Sequence, residues 1–354
     1  MITVLVVDDS ALMRRALKDA LEAEGDIRVV IARNGEDALE QVERAAPDVV
    51  TLDIHMPVMD GLTCLSHIKV SHACPVIMVS SLTEKGALAT FEAMELGAFD
   101  YVAKPGGTIS TDLDGVQRDL IAKVRAAVGQ PARRPASRGE AASEAPRPAR
   151  SRPPRRMAAG ERLLVIGVST GGPRTLEGIL PELPAEPDWP VVVIQHMPAS
   201  FTGVFARRLD GMCAMPVREI ERPTRLEGGV IHLARGDADL TLSRRAAGLT
   251  LVPTPSNDDY LWHPSVGRFL ESVRDLVEPR ALIGALLTGM GDDGARELAG
   301  FHQAGARTIA ESEETAVVFG MPQELIHHEG AGDVLPAHRI GGRLRDWMLE
   351  GEAC

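Results

Sequence analysis

The chain has 354 residues and a formal net charge of -12 at pH 7, a balance that argues against nucleic acid as a specific partner. No apolar run approaches the ~18 residues that a membrane span needs, so membrane insertion is not expected. The 4 cysteines form no C-x-x-C pair, which favours a reduced, cytoplasmic protein. The length predicts two domains.

Residues 1–128 alternate strand and helix patterns five times, and they begin with a strand rather than a signal peptide. Aliphatic runs predict the five strands Thr3–Val7, Ile27–Ile31, Val49–Asp53, Pro75–Val79 and Phe99–Val102. Helical patterns lie between and after them. The alternation predicts a flavodoxin-like (βα)5 domain, with a parallel sheet and helices on both faces.

Acidic side chains stand where strands of this domain end. Asp8 and Asp9 follow the first strand and Asp53 ends the third, so their carboxylates should gather at one edge of the sheet. Three carboxylates this close repel one another, and a hard divalent cation such as Mg²⁺ relieves the repulsion. Ser80 and Lys104 follow the fourth and fifth strands, and beside them an aspartate can accept a phosphoryl group.

These residues carry a resemblance that covers the whole first domain. The motifs are Val7-Asp8-Asp9-Ser10, Asp53-Ile-His-Met-Pro-Val-Met-Asp-Gly61, Val79-Ser80-Ser81 and Tyr101-Val-Ala-Lys104-Pro105. Together they resemble a two-component response-regulator receiver domain. The resemblance implies that Asp53 takes a phosphoryl group from the histidine of a sensor kinase. It also implies that Ser80 and Tyr101 form a switch pair, and that Mg²⁺ is held by Asp9, Asp53, the His55 carbonyl and, through water, Asp8.

Residues 129–160 form a predicted flexible linker. Pro, Ala, Ser and Arg dominate this segment, and it has almost no large apolar residue with which to bury a core. Its prolines predict an extended, semi-stiff chain. The arginines are compatible with contact to nucleic acid or an anionic surface, but we favour a solvated tether.

The second predicted domain, residues 161–354, opens with a strand, a glycine turn and a helix. Leu163–Ile166 is a fully aliphatic strand, and Pro173 suits the first turn of a helix. Ser169 stands in the turn between them. Three interpretations are open: a nucleophile turn, a phosphate cradle, or a plain connection. Neither the dinucleotide fingerprint nor the P-loop pattern is complete here.

Two more buried strands of this domain end in residues that are able to activate a serine. Val191–Gln195 runs into His196, and Ala281–Leu287 runs into the glycine-rich turn that holds Asp292 and Asp293. In a doubly wound, mostly parallel, Rossmann-like sheet these positions share one edge. A serine hydroxyl needs an imidazole base, and that base needs an orienting carboxylate. The set therefore favours a hydrolase, although each residue alone is more simply structural.

The remaining pattern of the second domain predicts short strands and four further helices. Ser200 is expected to cap the first of these helices. Strands are expected at Val230–Leu233, Leu240–Leu242, Leu249–Val252, Thr308–Ala310 and Val334–Leu335. The helices are expected at residues 200–209, 266–276, 296–304 and 338–349.

The motifs of this domain resemble a second family. They are Gly167-Val-Ser-Thr-Gly-Gly172, Gln195-His-Met-Pro198, Leu287-Thr-Gly-Met-Gly-Asp-Asp-Gly294 and Val318-Phe-Gly-Met-Pro322. They resemble the catalytic domain of chemotaxis protein-glutamate methylesterases/glutaminases. The resemblance implies a Ser169 nucleophile, a His196 base oriented by Asp293, and oxyanion donors from the backbone N–H groups of Thr170 and Met290. The implied substrates are glutamate methyl esters, and glutamine, on methyl-accepting chemoreceptors, with no cofactor in the ester step.

This sequence departs from the family pattern at two positions. The family commonly has His-Arg-Pro-Ser-Val-Asp where this chain has Trp262-His-Pro-Ser-Val-Gly267. Trp262 and Gly267 lie outside the implied triad, but both are expected near the cleft. The resemblance therefore leaves the receptor and the glutaminase activity open.

Two models of the whole protein follow from the two domains. In the first, the unphosphorylated receiver covers the Ser169 cleft, and phosphorylation of Asp53 opens it. In the second, the chain is a non-enzymatic phospho-switch whose second domain binds a nucleotide or a partner protein. We favour the first.

Overall fold

The computed structural model describes residues 1–104, 113–129, 162–185 and 188–350. The chain divides into two compact units between residues 143 and 144. Apart from residue 129, the predicted linker lies outside the described residues, as does Pro105.

The first unit is a five-stranded parallel sheet with a helix after each strand. The strands are Ile2–Val7 (β1), Ile27–Ala32 (β2), Val49–Asp53 (β3), Val76–Ser80 (β4) and Asp100–Ala103 (β5). The helices are Ala11–Glu22 (α1), Gly35–Ala45 (α2), Gly61–Ser71 (α3), Glu84–Glu95 (α4) and Leu113–Val128 (α5). The predicted (βα)5 domain is confirmed, with every strand end within one residue of its predicted place.

The helices of this unit begin where side-chain caps are available. Ser10, Asn34, Asp60 and Thr83 each accept a hydrogen bond from a backbone N–H in the first turn of the following helix. These bonds satisfy donors that a helix start otherwise leaves free. The strand order is β2-β1-β3-β4-β5. The connections reverse direction between β1 and β3, and sites of open α/β sheets form at such a reversal.

The second unit contains a seven-stranded parallel sheet. Its strands are Leu163–Val168 (β6), Val191–Gln195 (β7), Val217–Ile220 (β8), Ile231–Ala234 (β10), Leu282–Leu286 (β13), Arg307–Glu311 (β14) and Asp333–Leu335 (β15). A separate antiparallel sheet consists of Thr224–Arg225 (β9), Ala238–Arg245 (β11) and Gly248–Pro255 (β12). The segments near Leu240 and Leu249, expected in a mostly parallel sheet, thus pair with each other instead.

Six α-helices of this unit lie within the described residues. They are Gly172–Ile179 (α6), Ala199–Met212 (α7), Val266–Val273 (α8), Ala295–Gln303 (α9), Met321–His327 (α10) and Ala337–Glu350 (α11). Neither α10 nor the short strand β8, in which two charged residues stand between two apolar ones, was predicted from the sequence. The predicted Ser200 cap is wrong, because the backbone N–H of Ala199 is bound by the carboxylate of Asp237 at 3.1 Å.

The strand order of the large sheet is β15-β14-β13-β6-β7-β10-β8. The fully buried β6 lies between β7 and β13, and the chain builds the sheet outward from β6 in both directions. The carboxyl ends of β13, β6 and β7 therefore flank the point where the connections reverse, which is where a site is expected.

Candidate functional site

Ser169 and His196 stand next to each other at the carboxyl edge of the large sheet. The last paired residues of β6 and β7 are Val168 and Gln195, and Ser169 and His196 follow them directly. The ladder continues one step further, because the His196 N–H donates to the Val168 carbonyl at 3.1 Å. On its other side, the Ser169 N–H donates to the Thr288 carbonyl at 2.9 Å. The serine is thus held between both neighbouring strands.

The turn after Ser169 is held by the side chain of Gln195. Its Nε2 donates at 3.0 Å to the carbonyl of Ser169 and, also at 3.0 Å, to that of His196. Gly171 adopts a left-handed conformation at φ 77°. A Cβ on Gly172 would lie 2.1 Å from Gln195 Oε1, so only glycine fits beside the amide. Gln195, for which the sequence predicted no contact with this turn, therefore clamps it.

His196 and Asp293 form a direct pair. Nε2 of the imidazole lies 2.8 Å from Oδ2 of the carboxylate, and both side chains are more than nine-tenths buried. The other ring nitrogen, Nδ1, is buried and has no hydrogen-bond partner in the described part of the chain, so no bond joins it to the Ser169 hydroxyl. The ring therefore keeps Nδ1 free to accept a proton.

Asp293 is fixed by the first turn of α8. Its Oδ1 accepts from the Ser265 hydroxyl and the Gly267 N–H, both at 2.9 Å, and its Oδ2 accepts from the Val266 N–H at 2.7 Å. Burial acts to raise the pKa of the Asp293 carboxyl, but the hydrogen bond and charge of His196 and the two N–H groups outweigh it, so the pKa is lowered. The carboxylate therefore stays ionised beside the imidazole.

A second buried aspartate, Asp239, binds the residues around the Asp293 site. Asp239 on β11 accepts from the Ser265 N–H at 2.8 Å and from His263 Nδ1 at 3.0 Å, and it pairs closely with Arg268. Ser265 thus joins two carboxylates, because its N–H binds Asp239 and its hydroxyl binds Asp293. Asp239 and Ser265 have no assigned role in the sequence analysis. The sequence offered one signal for Ser265, its position directly before a helix, and that position indicates a helix cap.

The two positions that depart from the family motif both adjoin the His196–Asp293 pair. The Trp262 ring stacks on the His196 ring, with centroids 5.1 Å apart and planes 6° apart. A Cβ on Gly267 would lie 3.2 Å from both Asp293 Oδ1 and Glu297 Oε2. Both residues are therefore part of the site's wall, as expected.

The glycine-rich loop after β13 lies against the serine. A Cβ on Gly289 would lie 2.8 Å from the Ser169 Cβ, which requires glycine there. The loop is tied down through Thr288, whose N–H donates to the buried carboxylate of Glu311 at 2.8 Å and whose hydroxyl donates to the Thr170 carbonyl at 2.8 Å. Neither the Thr170 N–H nor the Met290 N–H donates to another described residue. Both expected oxyanion donors are thus unengaged.

The acids of the first unit also gather as predicted. Oxygen atoms of Asp8, Asp9 and Asp53 lie within 4.8 Å of one another, and Lys104 Nζ lies 2.8 Å from both Asp8 and Asp53. Burial raises the pKa of the Asp53 carboxyl, Asp8 adds to this, and Lys104 only partly offsets it. A set of closely spaced carboxylate oxygens fits Mg²⁺, a hard cation that prefers oxygen ligands.

The predicted switch residues are both buried. The Ser80 hydroxyl donates to the Gly86 carbonyl at 3.2 Å, at the start of α4. The Tyr101 ring lies beneath the ammonium group of Lys123, 5.1 Å from its centroid, and that ammonium also donates to the Tyr101 carbonyl at 2.6 Å. Asp100 pairs with the same ammonium at 3.3 Å. Lys123 and Asp100 were missed by the sequence analysis.

The first unit has a receiver-type sheet with acids gathered at one edge, and the second has Ser169, His196 and Asp293 at the reversal point of an α/β sheet. These features are typical of a phosphorylation-regulated hydrolase. Two family models match the chain: the CheB methylesterase over residues 164–344 and the response regulator receiver domain over residues 4–110. The chain belongs to the CheB methylesterase family and carries its receiver domain. It is thus a chemotaxis-type response regulator, and the receiver implies a histidine kinase as partner.

Individual relatives are similar to this chain over nearly its whole length. A protein-glutamate methylesterase/protein-glutamine glutaminase of Rhodospirillum rubrum is 50% identical, with 98% of this chain and 96% of that protein covered. One of Rhodopseudomonas palustris is 46% identical, with 98% of each covered. The crystal structure of the Thermotoga maritima CheB methylesterase catalytic domain is 36% identical and aligns with a TM-score of 0.51, covering 53% of this chain and 99% of that one.

Within the described residues, every helix is too short or too polar to cross a membrane.

Proposed function

We propose that this protein hydrolyses glutamate methyl esters on the cytoplasmic helices of methyl-accepting chemoreceptors, and deamidates glutamine there as a second reaction. The proposal assigns the ester chemistry to Ser169, His196 and Asp293. The observation that carries it is the buried His196–Asp293 pair. Nδ1 of that imidazole has no partner among the residues that the structure describes, and His196 follows the strand next to the one that Ser169 follows.

In the first half of the reaction, the Ser169 oxygen attacks the ester carbonyl carbon and its proton passes to His196 Nδ1. The negative oxygen that forms is stabilised by the N–H groups of Thr170 and Met290. When the carbon–oxygen bond breaks, the leaving methoxide takes the proton from Nδ1 and departs as methanol. Asp293, bound at Nε2, keeps the ring in the tautomer that this proton transfer requires.

In the second half, water attacks the acyl-enzyme with His196 again accepting the proton. The bond to Ser169 breaks, the serine recovers its proton, and the glutamate side chain is released. With a glutamine side chain the same steps release ammonia. No cofactor takes part in these steps as proposed.

Regulation is assigned to the receiver domain. Asp53 would accept the phosphoryl group, Asp8, Asp9 and Asp53 would hold Mg²⁺, and Lys104 would bind the incoming oxygens. Bound Mg²⁺ would supply neutralisation of the charge that phosphorylation brings. Ser80 and Tyr101 would then rearrange as the switch pair. The domain bounds proposed for this scheme are 1–128, 129–160 and 161–354.

The test is methanol release from methylated receptor cytoplasmic fragments, with and without acetyl phosphate as phosphodonor. Wild type is compared with Ser169→Ala and Asp53→Ala. Release should require Ser169 and should rise with phosphodonor only when Asp53 is present. If no form releases methanol while the receiver still takes phosphate, the non-enzymatic phospho-switch becomes the better account.

A further inference from the structure

The indole of Trp262 covers one face of the His196 imidazole. The two rings are nearly parallel, 6° apart, with centroids separated by 5.1 Å. We propose that Trp262 is a positioning residue of the esterase site, which holds the His196 ring so that Nε2 meets Asp293 while Nδ1 stays free for the Ser169 proton. This inference rests on the proposed function, because it assigns a role in the same proton transfer.

The His196 ring needs such a restraint. It follows the end of β7, and among the described residues the ring has a single hydrogen bond, the one at Nε2. One bond fixes one point of a planar group, and the second side-chain torsion of histidine is broad. An aromatic plane lying on the ring face limits rotation about that remaining torsion. The stack therefore supplies the orientation that the Asp293 bond alone leaves undefined.

Trp262 is itself placed by the segment that follows it. Ser265 and Gly267 bind Asp293 directly, and His263 binds the buried Asp239. One short segment, Trp262–Gly267, therefore holds both members of the catalytic pair. Its backbone and a hydroxyl hold the carboxylate, and its indole holds the imidazole.

The aromatic character of the side chain gives it an electrostatic role as well. When the Ser169 proton reaches Nδ1, the ring of His196 becomes a cation. The face of an indole carries negative potential and attracts a cation stacked on it. A phenylalanine at position 262 would keep a ring face, whereas a leucine would offer bulk without one. The two substitutions thus separate stacking from space filling.

The experiment measures methanol release by the full-length protein with acetyl phosphate present. The variants are Trp262→Phe and Trp262→Leu, and the control is Leu261→Ala, the neighbouring side chain that is 82% exposed. We expect Trp262→Leu to lower kcat by about five- to tenfold with KM within about twofold of wild type. Trp262→Phe and the control should both stay within about twofold of the wild-type kcat.

A second measurement does not depend on activity. Subtracting the emission of Trp262→Phe from that of wild type isolates the fluorescence of Trp262. That emission should change in His196→Gln, because the stacked ring is lost.

A wild-type kcat in Trp262→Leu, or an equal loss in Trp262→Phe, would overturn the proposal, as would an unchanged emission in His196→Gln. If Ser169→Ala kept the wild-type rate, the proposed function would fail instead. In that case the Trp262 fluorescence in His196→Gln would by itself test whether Trp262 contacts and holds His196.

Discussion

Nε2 of His196 is bound to Oδ2 of Asp293 at 2.8 Å, and the carboxylate takes three further hydrogen bonds from the first turn of α8. The pair is therefore held by one helix start rather than by the strand ends alone. Its geometry assigns Nε2 to the carboxylate and leaves Nδ1 for the serine. The orientation of the ring depends on an ionised carboxylate at this place.

Replacing Asp293 by asparagine is expected to lower kcat by about 10³- to 10⁴-fold, the size of effect seen when a triad carboxylate becomes an amide. The amide presents an N–H₂ group where the carboxylate accepts, so the imidazole loses the partner that selects its tautomer. Methanol release measures the loss. Asp292→Asn is the matched control, because its exposed side chain is adjacent and should leave kcat within about twofold. Equal losses in both variants would show that the orienting acid has been assigned wrongly.

Two glycines of α6 should respond in opposite ways to alanine. At Gly172 the new Cβ would lie 2.1 Å from Gln195 Oε1, whereas at Gly178 it would meet no described residue within 4 Å apart from its chain neighbours and the backbone of its own helix. Gly172→Ala must displace the amide that clamps the Ser169 turn, so we expect at least a tenfold fall in kcat, about 1.4 kcal/mol of transition-state stabilisation. Gly178→Ala should keep wild-type activity and gain about 0.5–1 kcal/mol in stability.

Methanol release and thermal melting of the two variants check this contrast. A fully active Gly172→Ala variant would show that the clamp by Gln195 is dispensable.

Acid should destabilise the second unit through His232. Burial lowers the pKa of this histidine to about 4, and its Nδ1 contacts the Val191 carbonyl at 3.2 Å. The unfolded chain, with a pKa near 6.5, binds the proton first, so stability is complete above about pH 6.5 and falls as the pH drops toward 4. The expected loss is about 3 kcal/mol over that range.

The measurement is urea unfolding followed by tryptophan emission, because all 3 tryptophans belong to the second unit. His232→Gln should flatten the pH dependence between 6.5 and 4. His327→Gln, whose side chain is 78% exposed, is the control and should retain the wild-type slope. If the slope of His232→Gln matched the control, another buried group would have to carry the acid sensitivity.

Removing residues 1–155 is expected to raise the basal rate of methanol release at least fivefold, because the unphosphorylated receiver is proposed to restrain the esterase. The full-length Asp53→Ala variant should stay at the low basal rate with or without acetyl phosphate. A fragment as slow as the unphosphorylated full-length protein, or slower, would contradict inhibition by the receiver.

Structural features that depend on neighbouring residues along the chain were predicted well from the sequence. The buried aliphatic runs of β6, β7 and β13 were found because a strand covered on both faces needs apolar residues throughout. Ser169 and His196 were predicted at the sheet edge because each follows such a run, whereas the choice of Asp293 over Asp292 came from the resemblance to the methylesterase family. Strand β8 was missed because its two apolar residues flank two charged ones. The pairing of β11 with β12 was not predicted, because alternating residues fix a strand but not its partner.

The sequence by itself determined two α/β domains and the residues at their strand ends, since periodicity and glycine turns are local properties. Tertiary structure alone decided that Asp239 and Gln195 bind residues of the site and that the Trp262 ring stacks on His196. Asp239 reaches Ser265 from a separate sheet, and Trp262 meets His196 from 66 positions further along the chain. Such contacts follow from how distant segments pack against one another, and no spacing along the chain encodes which ring nitrogen faces the carboxylate.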